Sequence, residues 1–146
     1  MILKSHSAEE TRRIGASLAR QLRANDVVLL LGDMGAGKSE LTRGIARGLG
    51  VTGYVTSPTF TILQVHEEGR LPLYHFDWYR LESAEELYEL AMDEYLQNGG
   101  VAVVEWPCRP ACRLEVEITP LGDTDRALRF TPVGGFRELD WEGWIS

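Results

Sequence analysis

The sequence predicts an α/β domain, and three observations predict it. Val27–Leu31 and Val101–Val104 are short, continuously apolar runs, the pattern of strands buried on both faces of a largely parallel sheet. Ser7-Ala8-Glu9-Glu10 and Ser83-Ala84-Glu85-Glu86 are both Ser-x-x-Glu capping boxes, which open helices. Leu114–Thr119 and Ala127–Thr131 alternate in polarity around Gly122-Asp123, the pattern of a late β-hairpin. The 146 residues suit one domain large enough for a core of its own. The expectation is a single domain over 1–146, with its core over about 7–131 and a C-terminal tail over 132–146.

Each element follows in order. From Ser7 onward, Ile14, Leu18 and Leu22 recur every four residues and give a helix one apolar stripe, which ends at Asn25-Asp26. Val27–Leu31 is the next strand. Gly32 to Gly37 is a glycine-rich turn, and Lys38 to Leu49 reads as a helix stopped by Gly50. Ser57-Pro58-Thr59 punctuates a loop before a strand-like stretch, Phe60 to Val65. Glu67-Glu68-Gly69 turns the chain, and Leu71 to Phe76 reads as the returning strand. The helix opened by Ser83 carries Leu87, Leu90 and Ala91 towards Tyr95 and closes at Asn98-Gly99-Gly100. The run from Val101 ends at Glu105-Trp106-Pro107, and the hairpin follows. No repeat, linker or low-complexity tract interrupts this order.

Composition narrows the function classes. Hydrophobic residues at 44% and charged ones at 25% exclude wholesale disorder. The longest apolar run, Val27 to Leu31, is far short of a bilayer span, so no membrane association is expected. Residues Met1 to Ser7 lack the apolar stretch of a secretory signal, so a cytoplasmic location is expected, with Cys108 and Cys112 as reduced thiols. With 22 acidic side chains against 15 basic ones, the net charge is -7. A chain that binds nucleic acid by itself presents a basic face to displace counterions from phosphate, and this balance argues against that role. Of the 15 basic residues only Lys4 and Lys38 are lysines, which draws attention to their surroundings.

Lys38 lies in Gly32-Asp33-Met34-Gly35-Ala36-Gly37-Lys38-Ser39, which satisfies G-x-x-x-x-G-K-[ST]. An apolar strand precedes it and a helix follows, the context in which the pattern is a phosphate loop (Walker A). Glycines let the backbone fold so that successive N–H groups face a phosphate, and the helix N-terminus adds partial positive charge. In that reading Lys38 reaches the β- and γ-phosphates and the Ser39 hydroxyl ligates Mg²⁺. No G-x-G-x-x-G stands at this turn, which excludes a dinucleotide fold. No Asn-Lys-x-Asp motif is present, which favours ATP over GTP. A phosphate loop also needs a carboxylate at the end of a neighbouring buried strand to hold the Mg²⁺ shell. Glu105 ends such a run and is the candidate, against the alternative of a solvated strand end. Asp77, in His75-Phe76-Asp77-Trp78-Tyr79-Arg80, is either a contact of the metal's water shell or attacking water, or a plain turn aspartate.

Taken in order, these motifs resemble a known family. The phosphate loop, Ser57-Pro58-Thr59-Phe60-Thr61, His75-Phe76-Asp77-Trp78-Tyr79-Arg80, Glu85-Glu86-Leu87 and Val104-Glu105-Trp106 are similar to those of TsaE proteins. These are small bacterial ATPases of the tRNA threonylcarbamoyladenosine pathway. The resemblance runs from about Ser7 to Thr131. It implies a P-loop NTPase with a compact central sheet flanked by helices, and a Mg²⁺-dependent ATPase activity that is weak alone. It implies two partners, TsaB and TsaD, which modify the adenosine beside the anticodon while ATP hydrolysis resets the complex; tRNA is met only through those partners. Carried over by motif, Asp33, Met34, Gly35, Ala36, Gly37 and Lys38 hold the phosphates, and Ser39 and Glu105 hold Mg²⁺. Asp77 lies by the γ-phosphate, Ser57 to Thr61 forms a switch-like loop, Trp106 adjoins the metal carboxylate, and Arg126 touches the nucleotide. Lys38, Asp77 and Glu105 are thereby the candidate catalytic residues. Ser39 stands where Thr is more usual, Met34 where Leu is common and Asn25 where Gly is. Nothing is carried over to 108–113 or to the tail beyond Pro132.

Two other readings of the phosphate loop compete: a small-molecule kinase, for which the chain has little spare length, and a non-catalytic nucleotide-sensing adaptor. Hydrolysis also calls for an arginine supplied in cis or in trans, for which Arg80 is the nearest candidate. Cys108 and Cys112 lack a second ligand pair, so no zinc is expected. Gly44 and Gly48 read as coincidence or a tight helix contact. The acidic helix from Ser83 reads as a solvated face or a docking surface for a basic partner, and Trp141 and Trp144 as apolar plugs.

Overall fold

The computed structural model describes residues 1–32, 36–52, 63–77, 95, 98–105 and 112–141, with Asp77 described by its backbone. Among these residues, seven strands and two helices follow in the order β1 (Ile2–Ser5), α1 (Ala8–Gln21), β2 (Val27–Leu31), α2 (Lys38–Leu49), β3 (Leu63–His66), β4 (Leu73–Asp77), β5 (Val101–Glu105), β6 (Arg113–Pro120) and β7 (Arg126–Val133). The strands form one sheet in the order β1-β7-β6-β2-β5-β4-β3. β2 therefore sits at its centre, between β6 and β5 and parallel to both.

Parallel pairing is less extensive than the apolar runs predict. β2–β5, β2–β6 and β4–β5 are parallel, whereas β1–β7, β6–β7 and β3–β4 are antiparallel. The links between β3 and β4 and between β6 and β7 are too short for a crossover, so they close as hairpins. β4 begins after Pro72, later than Leu71, because the proline nitrogen has no proton to donate to a ladder. β1 was not anticipated: its four residues are too few to show a period, and its partner strand lies at the far end of the chain.

The capping box at Ser7 forms a closed loop of hydrogen bonds. The Ser7 hydroxyl accepts from the Glu10 N–H at 3.0 Å, and a Glu10 carboxylate oxygen accepts from the His6 N–H at 2.8 Å. Asn25, where α1 has ended, takes φ +71°, a conformation asparagine tolerates better than most residues. Its side-chain oxygen accepts from the Gly99 N–H at 2.8 Å, tying this turn to the entry of β5.

The core lies in two layers. α1 and α2 cover one face of the sheet, where Ile14, Leu18, Leu41 and Ile45 meet Val28, Leu30, Val103 and Val116. The opposite face carries Val27, Leu29, Tyr74, Phe76, Ala102 and Val104, with Tyr95 packed on it. The two helices touch backbone to backbone. A Cβ on Gly15 would stand 2.5 Å from the Leu41 carbonyl oxygen, one on Gly44 would collide with the Arg12 carbonyl, and one on Gly48 would stand 2.6 Å from the Ala16 carbonyl oxygen. Gly44 and Gly48 are thus a helix contact. The tail also docks: Phe136, Leu139 and Trp141 join the core, and Trp141 meets Phe130 edge-on at 4.9 Å between centroids. Trp144 and the helix expected from Ser83 lie outside the described residues, apart from Tyr95. Among the described residues no helix is long and apolar enough to cross a membrane.

Candidate functional site

Those expected site residues that the structure describes gather near the carboxyl ends of β2, β4 and β5, the edge at which open α/β sheets hold ligands. β2 ends at Leu31, Gly32 turns away, and α2 begins at Lys38. Gly32 takes φ +150° and passes so close to β6 that a Cβ would stand 2.8 Å from the Ile118 carbonyl oxygen. Gly37 is the N-cap of α2 at φ +110°, a left-handed conformation disfavoured by side chains, and contributes no side-chain cap. The first-turn amides of α2 are consequently not capped by that residue, as an anion-binding helix start requires. The Thr42 hydroxyl donates to the Lys38 carbonyl oxygen at 2.9 Å, fastening the first turn from within.

Glu105 ends β5 directly opposite this turn. Parallel register places it beside Leu30 of β2 and beside Asp77 of β4. It is only 7% exposed, so its charge needs partners. One oxygen, Oε1, is 3.8 Å from Lys38 Nζ, and the other, Oε2, is 2.8 Å from Nε2 of His75. His75 is 1% exposed, and its second ring nitrogen, Nδ1, is buried with no hydrogen-bond partner among the described residues. The structure thus joins three elements in one line of side chains: His75 on β4, Glu105 on β5 and Lys38 on α2.

A second brace comes from the hairpin. Arg126 opens β7, and its Nε donates to the Ala36 carbonyl oxygen at 2.9 Å. Its Nη1 donates to the carbonyl oxygens of Gly122 at 3.0 Å and Asp125 at 2.9 Å. The guanidinium therefore pins the tight turn of the hairpin to the end of the phosphate-loop motif. Ala36 is itself fully buried in the core beneath α2.

Of the residues expected at the site, Ala36, Gly37, Lys38, Ser39, Glu105 and Arg126 are brought to this corner of the sheet. Asp77 reaches it by backbone register. Asp33, Met34 and Gly35 lie outside the described residues, as do Ser57 to Thr61, Arg80 and Trp106. His75 had no role in the sequence reading beyond its place in a motif. The available signal was its parity with Asp77 on one strand, and the partner that explains it is 30 residues away. Among the described residues, no three His, Cys, Asp or Glu side chains gather as a metal cage, and Cys112 is exposed. Mg²⁺ does not require such a cage, since it commonly takes one or two protein oxygens together with phosphates and water. A buried carboxylate beside a helix-start hydroxyl residue fits that donor set.

The chain is similar to proteins of one kind throughout. The family model described as "Threonylcarbamoyl adenosine biosynthesis protein TsaE" matches residues 5–128. The tRNA threonylcarbamoyladenosine biosynthesis protein TsaE of Bacillus subtilis (strain 168) is 44% identical over 136 residues, covering 90% of this chain and 85% of that protein. Its counterpart from Streptomyces coelicolor is 42% identical over 137 residues, covering 87% and 91%. The crystal structure of Bacillus subtilis YdiB superposes with a TM-score of 0.78 at 38% identity, over 92% of this chain and 86% of that one. With the family model matching 5–128 and relatives alike over most of their length, the chain belongs to the TsaE family of threonylcarbamoyl adenosine biosynthesis proteins.

Proposed function

We propose that this protein is a P-loop NTPase that hydrolyses the β–γ bond of ATP in tRNA threonylcarbamoyladenosine biosynthesis. It would act in the cytoplasm with TsaB and TsaD, its hydrolysis resetting that complex between rounds. The observation that carries this reading is the geometry of Lys38: it opens α2 at the end of a strand–glycine turn–helix unit and stands 3.8 Å from Glu105. Glu105 ends the parallel strand next to β2.

In this reading the first-turn amides of α2 and Lys38 bind the β- and γ-phosphates, where the helix dipole favours negative charge. Ser39 and Glu105 would hold Mg²⁺, which when bound neutralises charge on the phosphates. Arg126 keeps the loop's end in place through the Ala36 carbonyl. Asp77, in register with Glu105, is the candidate for orienting the attacking water. Activity weak in isolation follows because hydrolysis needs charge neutralisation beyond the loop itself.

Lys38→Ala tests this at the binding step. A fluorescent ATP analogue with Mg²⁺ is expected to bind the wild-type protein and to lose at least tenfold in affinity in the variant, with the circular dichroism spectrum unchanged. Equal affinity in both proteins would refute the assignment.

A further inference from the structure

Resting on the reading of Glu105 as a Mg²⁺ ligand, we infer that His75 is a positioning residue that fixes the orientation of the Glu105 carboxylate towards the nucleotide. The two carboxylate oxygens have different surroundings. Oε2 is turned into the protein, 2.8 Å from Nε2 of a histidine that is 1% exposed. Oε1 is left on the side of Lys38, at 3.8 Å. Without His75 the carboxylate plane would lose its one close hydrogen bond among the described residues, leaving Lys38 at 3.8 Å to orient it.

Burial and pairing show that the contact is specific. By strand alternation the imidazole shares the sheet face covered by α1 and α2 with Leu73 and Val103, and Gln64 of β3 stands opposite it. An aliphatic residue at 75 would pack there without burying a polar ring. The ring instead keeps Nδ1 buried and without a partner among the described residues, a cost that hydrogen bonding at Nε2 offsets in part. Glu105 is the only hydrogen-bond partner of the His75 ring among the described residues, so the ring is not held there by a network of its own. To donate to a carboxylate, Nε2 must carry the proton, which sets the tautomer. Outer partners of this kind orient metal-binding carboxylates, and their loss commonly lowers metal affinity or activity by about 10–100-fold.

The test measures metal binding directly, by electron paramagnetic resonance of Mn²⁺ titrated into the full chain saturated with ADP. His75→Leu removes the donor, and His75→Gln returns an N–H near the position of Nε2. The expected result is a 10–100-fold weaker Mn²⁺ affinity for the Leu variant and recovery to within about threefold for Gln, while metal-free nucleotide affinity stays constant. Leu matching the wild type, or Gln as weak as Leu, would overturn the role of His75. If the Leu variant does not fold, ¹⁵N spectra of the wild-type histidines decide. A proton on Nε2 of His75 that shifts in Glu105→Gln supports the inference, and a bare Nε2 refutes it. A wild-type protein that binds neither Mn²⁺ nor ADP would refute the parent reading instead, and His75 with it.

Discussion

Single residues here act through partners that are distant in sequence. Glu105 reaches Lys38 and His75 at once, and Arg126 reaches Ala36 across the sheet. Glu9 shows the same on the outer surface. Its carboxylate accepts from Arg12 Nη2 at 2.8 Å and lies 3.5 Å from Arg47 of α2, while Arg12 also pairs with Glu40. The hydrogen bond from Arg12, with the charges of Arg12, Arg47 and Arg13, holds the Glu9 carboxyl below the usual carboxylate range. A carboxyl lowered on folding stabilises the native state fully above its unfolded pKa, and that contribution disappears as pH falls through the lowered value. Denaturant titrations across acid pH are therefore expected to show wild type above Glu9→Gln near neutrality, the gap closing in acid. A constant gap would contradict this. Its size is small, because the pair is exposed and screened by solvent.

At the scale of elements, what was legible in the sequence is what local chemistry decides. Lys38–Leu49 was readable to its ends because glycines flank it, and Ser7 announced α1 through a bond to a residue three positions on. The phosphate-loop motif and Glu105 were readable because each adjoins an apolar strand in the chain. β1 was not, because only pairing with β7 makes it a strand. His75 was not either, because its meaning depends on β4 lying beside β5 in a given register. Gly44 lies between these cases: G-x-x-x-G is visible, but its partner helix is not. The structure places the Arg12 carbonyl where a Gly44 Cβ would stand, so the two helix backbones must separate to admit one. Gly44→Ala is expected to destabilise by about 2 kcal/mol despite its better helix propensity. In a domain of this size that lowers Tm by about 4–8 °C in a calorimetric scan. An unchanged or raised Tm would show that the helices are not in contact there.

Over the whole molecule, the sheet brings the ends of the chain to the same body. β1 pairs with β7, while Arg137 of the tail binds Asp26 at 2.7 and 2.9 Å and takes the Gln21 carbonyl oxygen as well. The tail closes the end of the helix layer on the side away from Glu105 and Lys38, which leaves the edge at β2, β4 and β5 to the candidate site. The net charge of -7 acquires a clearer meaning in this arrangement. An acidic chain is suited to supplying hydrolysis to a complex whose other members hold the RNA. Among the described residues, Arg12, Arg70, Arg126 and Arg137 each join separate elements, and Lys38 pairs with Glu105. The most direct test of the central claim is phosphate release from ATP by the purified protein, alone and with TsaB, TsaD and substrate tRNA. The account predicts slow release alone, a marked increase with the partners, and loss of both in Lys38→Ala. Phosphate release by Lys38→Ala equal to wild type, or continued silence of the wild-type protein in the assembled complex, would contradict it.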